Sequence, residues 1–70
     1  MKIGNKLKRL RQEKLLTQNE LDDRCDLSKR FISQLERDLT SPSLSTLYDI
    51  LEALGTNIKD FFNDHEQEKI

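Results

Sequence analysis

Apolar residues recur three and four positions apart along most of the chain. Ile3, Leu7 and Leu10 keep that spacing and predict a first helix from Ile3 to about Lys14. Thr17 followed by Glu20 has the Thr-x-x-Glu pattern of a capping box, in which each side chain satisfies a backbone N–H of the other residue. A second helix therefore starts at Gln18 and runs to Cys25, with Leu21 and Cys25 as its buried stripe. Ser28 is the next N-cap, opening a third helix over Lys29–Arg37 with Ile32 and Leu35 turned inward. Thr40-Ser41-Pro42-Ser43 reads as a connection, because Pro42 disfavours helical geometry at Ser41. Ser43 then caps a fourth helix carrying a core stripe of Leu44, Leu47, Ile50, Leu51 and Leu54, which stops at Gly55. Asn57 caps a short fifth helix holding Ile58, Phe61 and Phe62. From there "NDHEQEKI" is charged and aperiodic, the pattern of a frayed end or linker. No alternating β-branched run competes, and valine is absent. The pattern is all-α: five short helices in one compact domain over residues 1–63, then a charged tail over 64–70.

Composition narrows the picture. A chain of 70 residues buries only about 60% of the surface its unfolded form exposes, so its stability is marginal. One cysteine and one histidine provide neither a disulfide nor a metal staple within the chain. The lone Cys25 fits a reducing compartment. No apolar run approaches the roughly 20 residues of a membrane span, and the N-terminus lacks the apolar segment of a signal peptide. The expectation is a soluble, cytoplasmic protein with no membrane partner.

The net charge of −1 conceals an asymmetry. Met1 to Arg37 holds ten cations and six anions, a balance of +4, whereas Asp38 to Ile70 holds two cations and seven anions, a balance of −5. A basic half joined to an acidic half suggests one face for a polyanion and another turned away from it.

The basic half contains the most informative unit. Only Asp26-Leu27-Ser28 separates the second and third helices. So short a turn forces a sharp crossing, and Leu27 can fill the angle, giving a shared core of Leu21, Leu27, Ile32 and Leu35. This is the arrangement of a helix-turn-helix, whose second helix lies in the DNA major groove. Lys29 and Arg30 fall in that helix's first turn, and Lys29/Ser33 and Arg30/Gln34 are each four apart. Arginine can donate two bonds to guanine O6 and N7, and glutamine can pair with adenine N6 and N7.

The stretches Leu16-Thr17-Gln18, Leu27-Ser28, "ISQLER" (Ile32 to Arg37) and Pro42-Ser43-Leu44 resemble the XRE family of phage-repressor-like helix-turn-helix domains, over Ile3 to Phe62. "DLTSPS" and "LGTNIKDFF" are similar to a subgroup in which a sensory cupin barrel follows the DNA-binding domain in a longer parent chain. The resemblance implies a lambda-repressor-like fold and a transcriptional regulator, commonly a repressor, that binds a palindromic double-stranded operator as a homodimer. It also implies roles for single residues. Lys29, Arg30, Gln34 and, secondarily, Ser33 match base-reading positions. Gln18, Ser28, Arg37, Thr40 and Ser41 match phosphate-contacting ones, Gln18 also bracing the reading helix. Arg11 and Glu36 match a salt bridge between the first and third helices.

The chain departs from the family pattern at several positions. Leu15, Asp26 and Asp38 stand where the family favours glycine, Asp22 where it favours alanine, and Arg30 where the closest subgroup has a small residue. A buried Asp22 needs a partner, either Arg30 or a backbone donor.

The same residues allow other readings. Phe31 is better suited to wedging against the second helix than to meeting a thymine methyl, and Tyr48 to packing at the surface of the fourth helix. Cys25 reads as a small buried hydrophobe, and His65 has no metal-ligand partner in sequence. No catalytic pair, metal-ligand set, cofactor motif or phosphate-binding glycine loop is present, so no enzyme activity is expected. The alternative function is a helical protein-interaction module, an antitoxin or co-regulator adaptor, using the acidic half and exposed Phe61 and Phe62.

Overall fold

The computed structural model describes residues 3–67, with side chains through residue 63. Five helices follow in order: α1 (Gly4–Glu13), α2 (Gln18–Arg24), α3 (Phe31–Glu36), α4 (Leu44–Ala53) and α5 (Ile58–Gln67). No strand occurs among the described residues. The periodic segments all became helices, with two changes of boundary. α3 begins two residues later than its pattern predicts, and α5 continues through residues expected to fray. Residues 68–70 of the expected tail, and the His65 side chain, lie outside the described residues.

Leu7, Leu21, Ile32, Leu35, Ile50, Leu51 and Leu54 are fully buried and form one core, joined by Ile3, Leu16, Leu47 and Phe61. Leu10, Cys25, Leu27 and Phe31 pack against it while partly exposed. One expectation fails here. Leu44 is 64% exposed, so the inward stripe of α4 starts only at Leu47. Tyr48 is 55% exposed at the α4 surface. Phe61 is core, whereas the protein-interaction alternative needs it exposed. Lys6 on α1 helps to hold it there: its ammonium donates to the Phe61 carbonyl and sits 4.8 Å from the ring centroid.

One device ends the first four helices. After α1, Leu15 N–H bonds Gln12 O and Leu16 N–H bonds Arg11 O. The same nested pair recurs at Asp26 and Leu27, at Asp38 and Leu39, and at Gly55 and Thr56. This is the Schellman motif, which needs a left-handed residue just past the helix. Leu15, Asp26, Asp38 and Gly55 supply it, with φ of 59°, 56°, 59° and 77°. Leu16 and Leu27, each one residue further on, then turn back toward the core.

Helix starts divide into two kinds. Thr17 and Glu20 form the capping box that opens α2, the Ser43 hydroxyl accepts Thr46 N–H at 3.1 Å on α4, and Asn57 Oδ1 accepts Asp60 N–H at 2.8 Å on α5. Neither α1 nor α3 has a local side-chain cap. Each is served instead by an aspartate from elsewhere: Asp38 Oδ1 accepts Gly4 N–H at 3.1 Å, and Asp22 Oδ1 accepts Ile32 N–H at 3.0 Å. The first of these brings the end of α3 so close to α1 that a Cβ on Gly4 would lie 2.4 Å from the Glu36 carbonyl oxygen.

Two outcomes follow. Leu15 is 89% exposed and buries nothing that glycine would lose. A left-handed residue with a Cβ costs about 1–2 kcal/mol, against roughly 0.5–1 kcal/mol of extra backbone entropy lost by glycine. Leu15→Gly should therefore raise stability by about 0.5–1 kcal/mol in urea denaturation, and Gly55→Ala should lower it. In the capping box, bonds from the Thr17 amide and hydroxyl hold the Glu20 carboxyl below its ordinary value. That stabilisation is complete above the ordinary glutamate range and is lost as pH falls through the lowered value. An acid titration of helicity should show this component disappear in Glu20→Gln.

Candidate nucleic-acid interface

The α2–α3 pair is held from behind by a buried ion pair. Arg11 on α1 reaches Glu36 with two parallel bonds, Nε to Oε2 at 2.6 Å and Nη2 to Oε1 at 3.1 Å. Its remaining nitrogen, Nη1, donates to the Leu16 carbonyl at 2.7 Å. Gln18, the first residue of α2, adds a bond from Nε2 to Glu36 Oε1 at 2.9 Å. Arg11 and Glu36 are both buried. A single carboxylate on α3 thus gathers α1, the start of α2 and, through Arg11, the turn between them. The fork of an arginine suits a carboxylate held this way.

In front of this brace the polar side chains point outward. Gln34 is exposed on α3, Arg37 is exposed at its C-terminal end, and Ser33 is half-buried. Gln34 and Arg37 are three apart and so share a helix face. Thr40 (half-buried) and Ser41 (exposed) follow in the connection to α4. Lys29 and Arg30 are exposed but stand ahead of the helix. Phe31 N–H donates to the Ser28 carbonyl at 3.1 Å, and Arg30 has φ 69° and ψ 6°. Those angles are the ones a type II turn requires at its third residue. The expected helical pairing of Lys29 with Ser33 is therefore absent, and the Arg30 side chain leaves the backbone in a direction that a helical residue would not take.

Ser28 does not cap α3, although it is exposed beside it. Asp22 does so from α2, and of the two partners expected for it the backbone donor is the one found; no ion pair joins Asp22 to Arg30 among the described residues. Among the described residues no group of histidine, cysteine, aspartate or glutamate side chains could hold a metal ion. No described helix is long and apolar enough to cross a membrane.

Sequence reasoning gave Asp22 a backbone donor as one possible partner but not its place at the start of α3, and it missed the cap from Asp38 and the close approach at Gly4. The bond from Gly4 to Asp38 spans 34 positions, and no local spacing signals it. Asp22 carried one usable signal, an acid where the resembling family packs a small residue. Cys25 proved half-buried, with Sγ 3.8 Å from the Asp49 carbonyl oxygen. Burial, and then the carboxylates of Asp49 and Asp22, push its thiol above the ordinary value.

Comparison with known proteins fits this geometry. The family model described as "Helix-turn-helix" matches residues 7–61. The immunity repressor protein of Bacillus phage phi105 is 40% identical over 58 residues, which is 83% of this chain and 40% of the repressor. The chain thus spans well under half the length of that relative. An uncharacterized HTH-type transcriptional regulator, y4dJ of Sinorhizobium fredii, is 42% identical over 55 residues, covering 79% of this chain and 71% of the relative. In three dimensions the chain is similar to SinR, the master regulator for biofilm formation, in a crystal structure with DNA. The TM-score is 0.77 at 30% identity, over 86% of this chain and 97% of the crystallised chain.

Glu36→Ala leaves the Arg11 guanidinium buried without its counter-charge, a loss of about 3–5 kcal/mol. That is of the same order as the whole stability of a chain this size. The variant should be largely unfolded at 25 °C by circular dichroism, while Arg37→Ala should unfold at nearly the wild-type urea concentration. At pH 8 Cys25 should react with iodoacetamide more slowly than free cysteine, because less of it is thiolate.

Proposed function

This chain belongs to the helix-turn-helix family, and from that membership we propose that it binds operator DNA sequence-specifically and regulates transcription. The observation that carries this reading is the division of labour among the polar residues of α2 and α3. Asp22, Gln18 and Glu36 are spent on holding the helix pair together. Lys29, Arg30, Gln34 and Arg37 are exposed, and their side chains have no partner among the described residues. A rigid mount carrying unengaged donors suits a polyanion with readable edges.

Arg30 and Gln34 are the base readers, by bidentate bonding to guanine and adenine respectively. Lys29 supports them from the turn, with Ser33 a lesser contact. Arg37, Thr40, Ser41 and Ser28 meet the flanking phosphates, and Gln18 adds a phosphate contact from its unused oxygen side. Contacts of this second kind position the protein without specifying sequence. The similarity to SinR, which has been crystallised with DNA, supports DNA binding.

One copy reads little. Six residues of α3 rise only about 9 Å along the helix axis, which covers few base pairs. Two copies on a palindrome, with half-sites one helical turn or about 34–36 Å apart, supply the missing discrimination. Repression is the regulatory sense favoured by the similarity to a phage immunity repressor, and operator binding places the protein inside the cell. The interaction-module alternative has lost one of its two aromatic contacts, because Phe61 is buried.

Selection of bound duplexes from a random pool should enrich a symmetric half-site. Arg30→Ala and Gln34→Ala should each relax preference at one position, by about 1–3 kcal/mol. Arg37→Ala should instead weaken all duplexes alike and flatten the dependence of affinity on salt by about one unit of slope. A pool that emerges without any enriched half-site would refute sequence-specific binding.

A further inference from the structure

The start of α3 has two acceptors within reach, and the structure uses the distant one. Ser28 stands where a local cap would begin a helix at Lys29. In that arrangement its hydroxyl would take the Phe31 N–H. Here the Phe31 N–H goes to the Ser28 carbonyl, and the Ile32 N–H goes to Asp22 Oδ1 at 3.0 Å. The helix starts two residues late as a consequence, with Arg30 left-handed at its N-cap.

Both halves of this arrangement are individually unfavourable. Asp22 is only 4% exposed, and its Oδ2 is buried with no partner, a costly state for a carboxylate. Arg30 bears a Cβ in a region that suits glycine. The other left-handed residues with side chains, Leu15, Asp26 and Asp38, each close a helix and gain two nested backbone bonds. Arg30 opens a helix instead. What links the two unfavourable features is the bond from Ile32 to Asp22. A charged acceptor at a helix start is stronger than a hydroxyl, which is why it prevails over Ser28.

We infer that Asp22 is a positioning residue for DNA reading: its carboxylate pins α3 to a start at Phe31 and keeps Lys29 and Arg30 in a turn ahead of the helix, against a Ser28-capped form in which both join it. The inference rests on the DNA-reading role proposed above. Passing from the left-handed to the helical region swings the Cα–Cβ bond of Arg30, so the guanidinium meets a different part of the groove. Asp22 thereby selects the base pair that Arg30 contacts without touching DNA itself. No neighbour competes for the carboxylate: Asn19, Asp23, Leu27 and Lys29 line a hollow with Asp22, and none of them donates to it.

The test uses the full chain and two readouts. In NMR spectra the wild type should show the strong intraresidue N–H to Hα Overhauser effect that marks positive φ at Arg30. Asp22→Ala should lose it, and the Cα shifts of Lys29 and Arg30 should move toward helical values. Asp22→Asn keeps an acceptor oxygen and should retain the wild-type signature, with faster amide exchange at Ile32 but not at Leu35. In duplex selection, Asp22→Ala should change preference roughly tenfold at the base pair that Arg30→Ala identifies, leaving the Gln34 position intact. A folded Asp22→Ala protein that keeps positive φ at Arg30 overturns the inference. Should that variant fail to fold, unchanged Ile32 exchange in Asp22→Asn overturns it equally. If the wild type enriches no duplex, the DNA reading fails on its own, while the Arg30 signature still decides what Asp22 does.

Discussion

The carboxylate of Glu36 is the point on which the domain converges. It receives both forks of Arg11 from α1 and the amide of Gln18 from α2, while its own backbone carbonyl lies against Gly4 closely enough to exclude a Cβ there. Burying a carboxylate is tolerable only when its oxygens are filled, and here both oxygens are engaged. The relative placement of α1, α2 and α3 therefore follows from satisfying one charge. The leucines and isoleucines supply the driving force for burial, but that force has no direction. The ion pair gives the helices their register, and the exposed residues of α3 inherit their aim from it.

A second principle organises the helix ends. Every helix must do something with its first N–H and last C=O groups. At the exits of α1 to α4 this chain uses one motif four times, and in three of those cases it accepts a left-handed residue that is not glycine. At the entrances it mixes local caps with aspartates borrowed across the fold. Asp38 does both jobs: it ends α3 in the left-handed region and fills the start of α1. Its side chain has a reason to persist there that Leu15 lacks.

These distinctions explain what could be read from the chain. Thr17, Ser43 and Asn57 were legible as caps because donor and acceptor lie within three residues. The helical stripes were legible because burial repeats with the helix period, and the pairing of Arg11 with Glu36 because the family resemblance supplied it. Ser28 carried an equally good local signal and was overruled by a carboxylate ten positions away in sequence. Local rules rank only the candidates they can see. Leu44 lost its expected burial for a related reason: periodicity identifies a face, but which end of it is covered depends on the neighbouring helix. Of the candidate interface, the residues were legible and the backbone carrying two of them was not.

The borrowed caps have a consequence for how the domain assembles. α2, α4 and α5 carry their own start signals. α3 is six residues long and has no side-chain cap of its own, well below the length at which an isolated helix holds together in water. Its order depends on Asp22 from α2 and on Arg11 from α1. The surface-bearing helix has no local structure to fall back on, so loosening either contact releases Arg30 and Gln34 from their common mount.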